Sequence, residues 1–162
     1  QRQMCIRDRL GTQAAVRYSI SAYTRWDYDP ENGRYLRFAD TQEDTGQGEA
    51  YAPFLDRNSN QQVGADNVVV ILTIHEYVLR SGNSEIIDVL LSGSGTAYVF
   101  RDGRMYPVLW NRPALESVIF LTDLNGNPFP FKQGTTWFEI VGQSVAAQDQ
   151  GNGAWRFEHR FP

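Results

Sequence analysis

Along most of this chain apolar and polar positions alternate with a period of two, in short runs. In 14–22, Val16, Tyr18 and Ile20 alternate with Ala15, Arg17 and Ser19, the mark of a half-buried strand. Strands at 23–28 and 34–38 flank Asp29-Pro30-Glu31-Asn32-Gly33, whose Pro and Asn-Gly supply turn dihedrals, so the pair reads as a hairpin with a longer loop. Val68-Val69-Val70-Ile71-Leu72 is apolar on both faces and predicts a central strand, expected to run on through 67–79. Further strands are predicted at 86–91, 96–100, 105–110, 118–121, 135–141 and 154–161.

The turns fix more than the strands. Asp102-Gly103 is a two-residue link suited to type I′ geometry, which sets Phe100 opposite Met105 and Val99 opposite Tyr106. Asn125-Gly126 predicts a second such link, aligning Phe120 with Phe131. Pro107 lacks an N–H, so its strand is expected to be an edge or bulged there, and Pro128 and Pro130 place their strand at an edge. The stretch 39–66 is polar, apart from a small island at 51–55, and reads as a long surface loop pinned through Phe54 and Leu55. About ten short strands with little helix imply an all-β domain, an antiparallel sandwich or open barrel with long polar loops.

Composition narrows the function classes. The 162 residues are 41% hydrophobic, enough for one core. Net charge is −4, and clustered positive charge for a nucleic-acid footprint is lacking. Residues 1–10, QRQMCIRDRL, have neither helix nor strand period and are set aside as an artefactual, non-native segment. Without them the body carries a net charge of −6 and no cysteine, so neither a disulfide nor a thiolate metal site is expected.

Motifs for chemistry are weak. His75-Glu76 lacks the second histidine of a zinc-protease helix, because position 79 is Leu79, and on a strand the two side chains point to opposite faces. Gly93-Ser94-Gly95 has neither the lysine nor the following helix of a phosphate loop. Asp56-Arg57-Asn58-Ser59-Asn60 and Asp123-Leu124-Asn125-Gly126-Asn127 present alternating oxygens. Neither has the Gly and Glu spacing of an EF-hand. No cofactor or metal is assigned. Trp26, Tyr28, Tyr35, Tyr51, Trp110, Trp137 and Trp155 divide between core packing and a stacking platform for sugars. The candidate ligand-binding surface is Trp26, Tyr28, Asp29, Asp56 and Trp110.

A set of spaced motifs resembles one family. Trp26-x-Tyr28-Asp29, Gly33-x-Tyr35-x-Arg37 and Asp66-Asn67-Val68-Val69-Val70 come first. Gly93-x-Gly95-x-Ala97-x-Val99-Phe100-x-Asp102-Gly103, Trp110 and Pro130-Phe131-x-x-Gly134-x-Thr136-Trp137 follow. Together they resemble the C-terminal domain of the YerB-like lipoproteins, domain of unknown function 3048. The resemblance implies an extracytoplasmic bacterial protein, lipid-tethered at its N-terminus, with another domain before this one. Residues 11–162 would be a single β domain, the C-terminal part of that larger protein. The resemblance supplies no catalytic residue, and its one departure is a longer loop before Asn67, where only Asp56 aligns. The expected function is a non-enzymatic envelope module that supports the missing N-terminal domain or binds cell-wall glycan or peptide, touching membrane only through a lipid anchor. The alternative is a carbohydrate-active hydrolase using loop carboxylates such as Asp27 and Asp56.

Overall fold

The computed structural model describes residues 9–160, which contain fifteen strands and no helix. Two sheets face each other as a sandwich. The first has the order β1 (Arg9–Leu10), β11 (Arg104–Arg112), β10 (Gly93–Arg101), β7 (Asn67–Thr73), β13 (Thr136–Gly142), with β12 (Phe120–Thr122) also on β11. The second runs β14 (Gln148–Asp149), β15 (Ala154–Glu158), β2 (Gln13–Ser19), β3 (Ala22–Asp29), β4 (Arg34–Asp40), β5 (Tyr51–Pro53), with β6 (Gly64–Ala65) on β4. Among the described residues, β8 (His75–Ser81) and β9 (Ser84–Val89) pair only with each other. Most pairings are antiparallel, but β13 lies parallel to β7 and β15 parallel to β2.

Every residue of β7 is buried, as its two apolar faces require. Val68, Val70 and Leu72 pack against the second sheet with Phe100, Trp26, Tyr35, Trp155 and Phe157. Val69 and Ile71 pack outward with Val99, Trp110, Leu121 and Phe129, so the segment around β12 covers that face. Alternation therefore produces two core layers rather than one.

The Asp102-Gly103 turn has the register predicted for it, with Phe100 opposite Met105 and Val99 opposite Tyr106. Both turn residues have positive φ, as type I′ demands. Pro107 sits opposite Tyr98, in the interval of β11 that lies between its pairings to β1 and to β12. The strand is thus internal at both ends and an edge only at its proline. The Asn125-Gly126 turn differs by one residue from expectation. Asp123 N–H donates to Asn127 O, closing a three-residue loop with Gly126 at φ 87, so Phe120 comes to lie opposite Pro130 instead of Phe131. The Asp123 carboxylate selects this turn by accepting from the N–H groups of Asn125 and Asn127.

Two segments depart further from expectation. Residues 1–8 of the set-aside block lie outside the described residues, whereas Arg9 and Leu10 form β1, and Leu10 O accepts from Trp155 Nε1 at 2.8 Å. The long polar loop is ordered along the second sheet. Phe54, though exposed, pins its far part to β4, its N–H donating to Arg37 O and its ring lying against the Arg37 guanidinium. Leu55 instead pairs with Gln62 of the same loop. Asp44 and Glu49 pin the near part. Arg17 donates to both carboxylates, and Arg156 donates to Glu49 at 2.6 Å. Tyr23, buried beneath, donates to Gln42 O at 2.5 Å and accepts from Ala50 N–H.

Candidate functional site: an apolar arm at one end of the sandwich

The strand expected over 67–79 divides at Ile74. β7 keeps β10 as a neighbour only as far as Ile71, and β13 as far as Thr73, after which the chain leaves the sheet. β8 and β9 then form a two-stranded arm closed by Gly82 at φ 56. Its root is fastened: Thr73 Oγ1 donates to Leu90 O, and Leu90 N–H to Ile74 O at 2.9 Å. A register shift between Tyr77 and Leu79 makes a bulge at Val78.

The arm carries the wrong residues for a free ribbon. Val78 is 64% exposed, Ile86 52% and Leu79 46%, and Ile74 and Val89 are exposed too. The bulge puts apolar side chains on both faces, because Leu79 and Ile86 leave the face that Tyr77 and Ile87 occupy. A loop from the first sheet adds to the same end. Arg112 reaches the carbonyls of Leu91, Leu115 and Ser117 together, and so fixes Leu115 and Val118, 70% and 85% exposed, beside the root. An isolated two-stranded hairpin is marginal in water, and an exposed apolar cluster of this kind marks a contact surface. The acidic and basic side chains on the arm, apart from His75, are Glu76, Glu85, Asp88 and Arg80, with Arg80 paired to Glu85 at 3.6 Å and stacked on Tyr77.

Beneath the root lies a polar seam between the sheets. Glu139, 5% exposed, accepts from Trp26 Nε1 at 3.1 Å and from the Tyr18 hydroxyl. Burial, then the Glu139 charge, pushes the Tyr18 phenol well above its usual range. Tyr18 stacks toward His159, whose Nδ1 accepts from Gly142 N–H at 3.0 Å. His159 stacks in turn on His75, the first residue of the arm, with centroids 4.8 Å apart. Desolvation, then the neighbouring His75, lowers the His159 pKa from its ordinary value.

The five residues predicted as a ligand surface do not form one. Trp26 is fully buried on Glu139, and Trp110 is 2% exposed on the opposite face of the first sheet, its Nε1 donating to Leu72 O at 2.9 Å. Tyr28 packs on Tyr35 and against Gly103, where an added Cβ would lie 3.0 Å from its ring. Asp29 serves its own turn, accepting from Glu31 N–H and Asn32 Nδ2. Asp56 does the same for Asn58 and Ser59, and those hydrogen bonds hold its carboxyl below the usual range. Asp27, paired with Arg25 and bonded to Gln13, serves the outer face of the second sheet. The turn-building role of Asp56 was legible in its Asp-x-Asn-Ser spacing. The inward turn of Trp26 was not, because strand period fixes alternation but not which face meets the core.

The family follows from residues 14–138, which match the family model described as protein of unknown function (DUF3048) C-terminal domain. The chain belongs to this family. Its fold is similar to the crystal structure of the YerB protein from Bacillus subtilis, with TM-score 0.57 and 20% identity over 74% of this chain. The chain spans 36% of the length of that protein. No curated protein matches. The DUF3048 match ends within β13, so β14 and β15 lie outside it while the arm lies inside.

Proposed function

We propose that this domain is a non-enzymatic docking module of a bacterial envelope lipoprotein, and that its β8–β9 arm seats against the preceding part of a longer parent protein. The observation that carries the reading is the exposure of Val78, Leu79, Ile86 and Val89 on a hairpin with no third strand among the described residues. The similarity to a YerB chain nearly three times as long as the matched part supports an occupant from the same polypeptide. Removing these side chains from water yields about 1 kcal/mol for each one substantially covered, so the separate pieces are expected to associate weakly and the contact to be strongest within one polypeptide. The exported, lipid-tethered location is part of the proposal and rests on the family resemblance alone.

The test uses the preceding segment of the parent gene expressed separately. It is expected to bind this domain in calorimetry, and Val78→Asp with Ile86→Asp is expected to abolish the heat. Binding undiminished by the double substitution would contradict the reading, as would self-association of this domain through the arm in light scattering. Export is checked by lipid labelling of the parent protein, whose absence would remove the lipoprotein part alone.

A further inference from the structure

A second feature sits at the root of the arm, independent of its apolar tip. β10 and β7 run side by side from the Val68–Phe100 pair to the Ile71–Ala97 pair and then splay apart. In the β10–β11 hairpin, hydrogen-bonded pairs alternate from Arg101–Arg104 outward, so Ser94 and Thr96 turn their backbone groups away from β11, toward the gap that β7 has left. The Leu72 carbonyl, which would meet Thr96 if the ladder continued, accepts instead from the Trp110 indole. That indole lies across Gly95, where a Cβ would come within 2.6 Å of Nε1. Gly95 and Trp110 together hold the two strands open.

The opening is a pocket of about 210 Å³ between the end of β7, the arm root and the free edge of β10. No lining side chain carries a charge, so an ionic ligand would lose hydration without a counter-charge. Ser92, Ser94, Thr96 and Gln143 are exposed and offer hydroxyl and amide groups. Leu72, Ile74 and Leu90 add an apolar wall, and the strand edge adds peptide groups. The volume is below that of pockets for drug-sized molecules. We infer that this pocket binds a small uncharged ligand bearing a secondary amide among hydroxyls, an N-acetylated hexose, with the amide set against the open edge of β10 at Ser94–Thr96.

The experiment is a titration of this chain, followed by ¹H–¹⁵N correlation spectra, with N-acetylglucosamine, glucose and glucuronate. N-acetylglucosamine is expected to shift the Gly95 and Thr96 amides and the Trp110 indole with a Kd on the order of millimolar, since few groups make contact. Glucose, lacking the amide, should shift them less, and glucuronate, bringing a charge, least. Ser94→Phe fills the opening from an exposed strand position and is expected to weaken the effect about tenfold while the remaining spectrum keeps its dispersion. Thr96→Val, a milder change, should weaken it less. Unmoved signals at saturating N-acetylglucosamine, shifts confined to other residues, or glucose or glucuronate acting as strongly would each overturn the inference. None of these outcomes bears on docking through the arm tip, which the pocket residues do not form.

Discussion

Two excursions leave the sandwich, and their compositions invert the usual expectation. The polar stretch between β4 and β5 lies down on the second sheet, while the apolar stretch between β7 and β10 stands away from the first. What holds the polar one is specific: Glu49 binds Arg17 and Arg156, and Tyr23 bonds two loop residues from below. Beyond its root, the apolar arm has only its own cross-strand pairing among the described residues. Hydrophobicity decides what a segment needs to cover, but placed partners decide whether this body supplies the cover. The arm therefore reads as half of a contact, and the loop as a completed one.

Substitutions sharpen this contrast. Glu139→Ala sets the scale for a carboxylate the body holds tightly, since it strands the Trp26 N–H and the Tyr18 hydroxyl in the seam. It is expected to cost about 3 kcal/mol in urea unfolding. Glu49→Ala releases the polar loop and is expected to cost about 1–2 kcal/mol, with faster proteolysis between Thr41 and Ala50. A loss below a few tenths would mean that the loop is held by something other than these ions. At the other extreme, Val78→Asp on the arm is expected to change the stability of this chain by less than about 0.5 kcal/mol. A large loss there would mean that the arm is already packed, and the comparison would fail.

Acidification separates the regions by pH. The folded state depresses the His159 pKa, so in the interval below the ordinary value of 6.5 the unfolded chain binds more protons and stability falls as pH falls. Protonation also removes the acceptor for Gly142 N–H beside the arm root. Asp44 and Glu158, whose carboxyls arginines hold below their ordinary values, add a second loss only as pH falls below those values. Thermal melts from pH 7 to 3 should show both steps, and His159→Gln should flatten the upper one. A profile level from pH 7 to 5 in the unsubstituted chain would contradict the role given to His159.

Much of the sandwich was legible, for local reasons. Asp102-Gly103 fixes a register by dihedral preference alone, and the unbroken Val68–Leu72 run can only sit in the middle of a sheet. The missing parts depend on partners that sequence does not name. Residues 67–79 keep strand character throughout, so nothing local signals that Ile74 is where β7 loses its neighbours. At Asn125-Gly126 the side chain of Asp123 outweighed the dipeptide, a competition visible in the residues but not weighed by the turn rule. The candidate site was least legible. Trp26, Tyr28 and Trp110 have the residue types of a binding surface, yet alternation alone does not tell an inward aromatic from an outward one, and the apolar arm looked like ordinary core strand.

Hydrogen exchange on the amides of β8 and β9 tests the central claim most directly, measured in this domain alone and again in the longer parent protein. The account predicts fast exchange across Tyr77–Ile87 in the isolated domain and slowing of at least about tenfold in the parent, with β7 protected in both. Equal rates for the arm in the two proteins would contradict it.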